Sequence, residues 1–277
     1  MDTWMSNLPE TLTNVPLSML AIPGSHDSCS YCLNCECELS QDNEAFPALM
    51  LLGKFGKLLS ARWGRTQDVS LSEQLAAGIR YFDFRVIHRE VDGLFYFVHG
   101  QFANEVSAEL SIIRSFLQEH HKEVVLLDFN HLYCFFKPDS TSLLERTIVK
   151  MFNPSITPLR IKKKCCNFSG KYDDPNKVFV AYRILSAICK TIILCSYFSA
   201  GVDKFHVTQG VLTPDSDYIL NHMDSDLAVL AASAGERVIE WLTEEVGQRN
   251  VVMIDFAVKM FPHFAKAVIS MNTSRQL

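Results

Sequence analysis

A chain of 277 residues is long enough to bury a sizeable core, as one large domain or two small ones. Its 48% apolar and 21% charged residues are ordinary for a soluble globular protein. A net charge of −5 argues against the broad basic face that binds nucleic acid, so nucleic acid is not an expected partner.

Residues 1–16 are polar and broken by Pro9 and Pro16, so no basic-then-apolar leader is read there. "LSMLAI" (residues 17–22) is a strand candidate that ends at Pro23-Gly24 and delivers His26 and Asp27. Cys29, Cys32, Cys35 and Cys37 follow within nine residues. Their spacing is tighter than in common structural zinc pairs, and the reading is a loop of reduced thiols open to oxidation. Nine cysteines cannot all pair internally, and reduced thiols fit an expected cytoplasmic location with peripheral membrane contact. "ALMLLGKFGKLLSARWGR" (residues 48–65) mixes a wide apolar face with basic residues. It suits an interfacial helix, with Lys54, Lys57 and Trp63 as membrane contacts; a helix packed on a barrel, with solvated lysines, fits equally.

Further along, "SLSEQLAAG" is a helix capped by Ser70 or Ser72 and stopped at Gly78. Strand runs follow at residues 79–87, at 94–100 after the Asp92-Gly93 turn, and at 123–129, with a helix from residue 107 to 121 before the last. "RIKKK" (residues 160–164) is a second basic cluster. The apolar window at residues 184–202 contains Lys190, and reads as a buried helix end plus a strand at 191–198 rather than a membrane span. Strands at 205–212 and 250–257 flank a last helix at 235–247. Strands alternating with helices predict an α/β fold with a mostly parallel sheet. A single-domain TIM-type (β/α) barrel fits, with an open doubly wound sheet as the alternative; no Gly-rich phosphate loop opens a helix.

In such folds the chemistry gathers where the strands end. Those positions hold His26 and Asp27, Asp83 and Arg85, His99, Asp128 and Asn130, and Asp255. Asp83 and Arg85 alternate onto one side of their strand, as do Asp128 and Asn130. Two histidines, one arginine and several carboxylates suit attack at a phosphodiester. Singly, each has a plainer reading: a satisfied histidine, a structural ion pair, a strand-end cap.

The segments "VPLSMLAIPGSHDS", "SEQLAAGIRYFDFRV", "YFVHGQF", "FLQEHHKEVVLLDFNHLY" and "FHVTQGVLTP", in this order, resemble the phosphatidylinositol-specific phospholipase C X-domain proteins, and most nearly the stand-alone eukaryotic group. The resemblance is close from residue 2 to about 153 and looser from 205 onward. It implies a distorted or incomplete TIM-type barrel over residues 1–277. The implied reaction is cleavage of inositol phospholipids to diacylglycerol and a cyclic inositol phosphate. His26 then resembles the general base and His99 the general acid, with Asp27 supporting it. Asp83 and Arg85 match the acidic and phosphate-binding positions, and Asp255 is the candidate for orienting His26. Asp128 and Asn130 join Arg85 as substrate-binding candidates. The calcium-dependent members carry Asn after the first histidine, whereas this chain has Asp27 there and Arg85 on the second strand. No metal or other cofactor is therefore expected, with calcium at Asp128 and Asn130 the minority alternative. The implied partners are the lipid and, transiently, a membrane surface, with no obligate protein partner. Residues 153–204 depart from the family pattern, which keeps a catalytically weak lipid-binding member in view. A glycerophosphodiesterase-like enzyme would need a metal-binding carboxylate set, against which Asp27 and Arg85 speak.

Overall fold

The computed structural model describes residues 1–42, 45–134, 138–152, 156–159, 178–182, 205–244 and 249–273. After the short helix α1 (Glu10–Thr13), Pro16 sets up a 3-10 turn at Leu17–Met19. Leu17 and Leu20, three residues apart, both turn inward and are buried. The first strand, β1 (Ile22–Ser25), therefore begins where hydrophobic pattern alone puts its end. It is buried along its whole length and pairs in parallel on both sides. Only glycine serves at Gly24, because a Cβ there would lie 2.9 Å from Tyr81 Cδ1 and 3.0 Å from Met253 Cβ.

Next come α2 (Phe46–Leu51), α3 (Gly53–Gly64) and α4 (Leu71–Ala76). Helix α4 starts in a full capping box, Ser70 with Glu73, and ends before Gly78 at φ +102°. Strands β2 (Tyr81–Arg89), β3 (Leu94–Val98) and β4 (Phe102–Glu105) then form an antiparallel meander. β3 is thus no barrel strand, a correction to the parallel reading: the tight Asp92-Gly93 turn, with Gly93 at φ +71°, permits only an antiparallel return. Helix α5 (Val106–Glu119), β5 (Val125–Tyr133), α6 (Pro138–Phe152), β6 (Ile156–Leu159) and β7 (Val178–Tyr182) come next. They are followed by β8 (Val207–Gly210), α7 (Ser216–Asn221), α8 (Leu227–Glu244), β9 (Val251–Ile254) and α9 (Phe264–Ser270).

The sheet runs β6-β7-β5-β2-β1-β9-β8, and every neighbouring pair on that path is parallel. Among the described residues it does not close; it is a distorted TIM-type barrel with β6 and β8 at its ends. The run at 191–198, expected as the strand after β5, lies outside the described residues, as does the helix-strand reading at 184–202. The place beside β5 belongs instead to β7, "VFVAY", inside a stretch whose turn formers had masked it. That short run is mostly β-branched and aromatic, the composition that favours a strand.

Alternation along β2 divides the molecule into two cores. Phe82, Phe84 and Val86 face outward, under the helices, with Phe97, Phe129, Leu110 and Phe264. Tyr81 faces inward with Leu126, Ile22, Val251 and Met253, and the N-terminal Trp4, Met5, Leu12 and Leu17 close this inner core from below. A buried ion pair fastens that closure. Arg80 Nε donates to Glu123 Oε2 at 2.9 Å, and Glu123 also accepts from Ser6 N–H and Ser6 Oγ–H. The opposite, C-terminal end of the strands is left for polar side chains.

Candidate active site at the mouth of the barrel

β1 ends at Ser25, and the next two residues enter the mouth. His26 is buried, and its Nδ1 lies 2.7 Å from Asp255 Oδ1, just past β9. Its Nε2 lies 2.8 Å from Arg85 Nη2. A guanidinium only donates, so Nε2 carries the lone pair and Nδ1 the proton given to Asp255. Burial works against the charged ring, but the Asp255 carboxylate outweighs it through charge and hydrogen bond, and the His26 pKa stands above its ordinary value.

Asp27 adopts φ +37°, a left-handed conformation unusual for a residue with a side chain. Its N–H donates to Asp83 Oδ2 at 3.1 Å and the next amide donates to Asp83 O, so strand β2 holds the turn in place. This conformation turns the Asp27 carboxylate to His99, whose Nδ1 is 3.0 Å from Oδ2. Burial pushes the Asp27 carboxyl up, yet His99 and Arg85 hold it below its usual range. The same His99 Nδ1–H points at the Gly64 carbonyl, 2.6 Å away. A Cβ on Gly64 would meet the His99 carbonyl oxygen at 2.7 Å, so this helix end needs glycine. His99 thus reaches the mouth from the β3–β4 turn rather than from a parallel strand.

Two residues that pattern reading assigned no role brace these groups. Gln67 is wholly buried; its Nε2 donates to His26 O at 3.0 Å and to Ile254 O at 3.1 Å, while Oε1 accepts from Ala257 N–H. Thr66 Oγ1 donates to His26 O at 2.8 Å. Both come from the loop after α3, and no periodicity marks a loop residue as structural.

Asp83 and Asp128 stand opposite each other on β2 and β5, and both are buried. Tyr81 O–H donates to Asp128 Oδ2 at 2.5 Å. Beyond them the register slips at Phe84/Arg85, so Arg85 lies opposite His131, not Asn130. This bulge brings in His131 opposite Arg85, a residue the sequence reading passed over. His131 sits below its ordinary pKa, from burial and the nearby Arg85 charge. The structure therefore gathers His26, Asp27, Asp83, Arg85, His99 and Asp255 at one mouth, with Asp128 and Asn130 at its β5 side. Among the described residues, no three or more His, Cys, Asp or Glu side chains are grouped to hold a metal ion.

The segment at residues 48–65 is two helices, because Gly53 at φ +55° breaks it after Leu52. Trp63 is a correction: it is only 6% exposed and packs against Leu227 and Phe256, edge-on to Tyr218 at 5.8 Å, so it does not stand at a polar boundary. The corner between the helices instead exposes Met50, Leu51, Leu52 and Phe55, Leu51 to 90%. Lys54 is exposed beside them and Lys57 half-buried. Among the described residues, no helix is long and apolar enough to cross a membrane. In the cysteine loop Cys29 is buried and Cys35 exposed; these and the two half-buried thiols between and after them are free. The "RIKKK" cluster lies outside the described residues.

No family model matches the chain. It is 30% identical to PI-PLC X domain-containing protein 3 of Mus musculus, over 97% of this chain and 92% of that protein. It is 35% identical to PI-PLC X domain-containing protein 2 of Homo sapiens, over 76% and 77% of the two chains. Among solved structures it resembles the phosphatidylinositol-specific phospholipase C of Listeria monocytogenes, with a TM-score of 0.62 at 19% identity over 98% of each chain. It also resembles the Staphylococcus aureus enzyme, in a structure concerned with modulation of membrane binding, with a TM-score of 0.68 at 14% identity over 98% and 97%. At such identities these structures speak for the fold.

Proposed function

The chain belongs to the family of PI-PLC X domain-containing proteins, and from that membership we propose a phospholipase C-type phosphodiesterase that cleaves inositol phospholipids without a metal. The observation that carries the proposal is the contact chain Arg85–His26–Asp255. A bound phosphodiester competes for the Arg85 guanidinium through its non-bridging oxygens, which frees the His26 lone pair. His26 Nε2 then takes the proton of the inositol 2-hydroxyl, whose oxygen attacks phosphorus. Asp255 holds the ring and stabilises the imidazolium that forms. The bond from phosphorus to the glycerol oxygen breaks, and His99 protonates that oxygen. Diacylglycerol leaves, and the cyclic inositol phosphate is opened by water with the two histidines in exchanged roles. Arg85, between Asp27 and His26, supplies the positive charge that a cation would otherwise bring. For docking on a bilayer, the corner of Met50, Leu51, Leu52 and Phe55 supplies apolar area, and Lys54 and Lys57 supply attraction to anionic lipid.

The test is release of water-soluble inositol phosphate from phosphatidylinositol vesicles by wild type, His26→Ala and His99→Ala, with and without EDTA. The expected result is EDTA-resistant release, reduced at least about a hundredfold in each variant. Release that EDTA abolishes and calcium restores would overturn the metal-free mechanism. A folded wild type that binds the vesicles and releases nothing would leave a lipid-binding protein instead.

A further inference from the structure

The loop after β1 carries thiols that the hydrolytic mechanism leaves unused, and its backbone holds the turn that carries His99. Gln101 is wholly buried, and its Nε2 donates to the carbonyls of Asn34 at 3.0 Å and Cys37 at 3.3 Å. The Phe102 N–H donates to the Glu38 carbonyl at 2.9 Å, and the Ser40 N–H to the Gly100 carbonyl at 3.0 Å. Asp42 Oδ2 accepts the Gly100 N–H at 2.9 Å. His99 joins this set through its own N–H, which donates to the Gln101 carbonyl at 3.1 Å. On the other side Arg65 Nη2 donates to the Leu33 carbonyl, and the carbonyl of its neighbour Gly64 takes the His99 ring proton. The path of residues 33–42 therefore sets where His99 stands.

The thiols of this loop differ in what they can do. Cys29 is buried, and burial holds its thiol well above the ordinary value. Cys35 is exposed, and its S–H is turned to the Glu36 carboxylate, 3.6 Å away. Cys32 and Cys37 are half-buried, and the Cys37 S–H points at the Cys32 carbonyl at 3.8 Å. The Cys32 S–H points at the Cys29 carbonyl at 3.7 Å. The Cys37 charge acts on Cys32, so the two sulfurs share one neighbourhood. We propose that Cys32 and Cys37 are a redox site, which hydrogen peroxide closes into a disulfide that displaces the turn carrying His99. Only its effect on turnover rests on the phosphodiesterase reading above.

Burial pushes the Cys32 thiol up to about 11, which leaves the first step to Cys37. The Cys37 sulfur attacks one peroxide oxygen, the O–O bond breaks, and the departing hydroxide leaves as water with the thiol proton. Cys37 is then a sulfenic acid. The Cys32 sulfur attacks that sulfur, the S–O bond breaks, and the oxygen leaves as a second water with the Cys32 proton. Two thiols and one peroxide thus become one disulfide and two waters. The Asn104 main-chain N–H lies against the Cys32 sulfur and favours its thiolate in this second step. A disulfide holds its two Cβ atoms about 3.5–4.5 Å apart. Forming it takes both sulfurs off the carbonyls they now face and draws the Cys37 carbonyl from Gln101, the residue that ties the loop to His99. The thiol form is the active one, and the disulfide form has its general acid out of place.

The test is peroxide treatment of reduced wild type, Cys32→Ser, Cys35→Ser and Cys37→Ser, followed by mass spectrometry of unreduced peptides. Digestion after glutamate separates Cys37 from Cys32 at Glu36. The Cys32–Cys37 bridge is expected in wild type and Cys35→Ser, reversed by dithiothreitol, and missing from the other two variants. The His99 imidazole resonances, assigned with His99→Ala, should move on oxidation in the same two proteins and stay in place in Cys32→Ser and Cys37→Ser. Cleavage of phosphatidylinositol by wild type should fall at least about tenfold on oxidation and return with reductant. Cys37→Ser should cleave at the reduced wild-type rate with or without peroxide. No bridge, a bridge from either residue to another cysteine, or a bridge that leaves the His99 resonances unmoved would overturn the proposal. If the bridge forms and His99 moves while reduced wild type cleaves nothing, the redox site stands and the phosphodiesterase reading alone fails.

Discussion

Asp255 meets His26 at Nδ1, on the far side of the ring from Nε2, so in the proposed mechanism its influence would be through proton affinity and orientation. Because the carboxylate stabilises the charged ring, the neutral base appears only above a raised pKa, and the acidic limb of kcat/KM should lie above the pH of an ordinary histidine, about 6.5. Asp255→Asn removes that stabilisation while burial and Arg85 still disfavour the charge. The expected outcome is a limb displaced to lower pH together with a rate loss of about a hundredfold at the plateau. A pH–rate profile measures both, and a limb that stays in place would remove Asp255 from its role. His26, Asp27, Arg85 and Asp255 were legible as residues just past or near the ends of short apolar runs. Asp42, Thr66 and Gln67 were not, because a loop residue declares its contacts only once the loop has a path.

At the scale of elements, the break between α2 and α3 forms the apolar corner proposed above to dock on a bilayer. Gly53 in a left-handed conformation ends one helix and starts the next, and the four large apolar side chains around it are turned outward together. Burying one such side chain is worth roughly 1.5–3 kcal/mol, or about a tenfold or greater change in partitioning. The double substitution Leu51→Asp with Phe55→Asp should therefore lower cosedimentation with phosphatidylinositol vesicles by at least about a hundredfold. Turnover should fall on vesicles far more than on a dispersed short-chain substrate. Unchanged cosedimentation would show that another face docks. The β5 bulge is the second decisive element, since it exchanges Asn130 for His131 beside Arg85. Alternation has no way to announce an inserted residue, which is why the histidine in "LLDFNHLY" carried no role in the sequence reading.

For the whole molecule, stability and site lie at opposite ends of the strands. The Arg80–Glu123 pair is fully buried and ties the N-terminal segment beneath the inner core. Glu123→Gln leaves the Arg80 charge buried without its counterion, at a cost of about 3–5 kcal/mol. Thermal unfolding followed by circular dichroism should show a transition lower by roughly ten degrees. A shift of less than about two degrees would mean that the pair is not what holds this end shut.

Short apolar runs, their spacing and the polar residues at their ends were enough to specify an α/β barrel and to nominate most of its mouth, because burial on both faces leaves a continuous hydrophobic signature. The tertiary structure alone decided the start of β1 at Ile22, the antiparallel return that carries His99, the place of Val178–Tyr182 beside β5, and the burial of Trp63. Each of these depends on which neighbour a segment finds. A proline-initiated turn, a tight hairpin, a bulge and a helix break all change direction within one or two residues, below the length over which periodicity can be read. The inward clustering of His26, Asp27, His99, Arg85 and Asp255 is a consequence of those turns, drawn from positions as far as 229 residues apart.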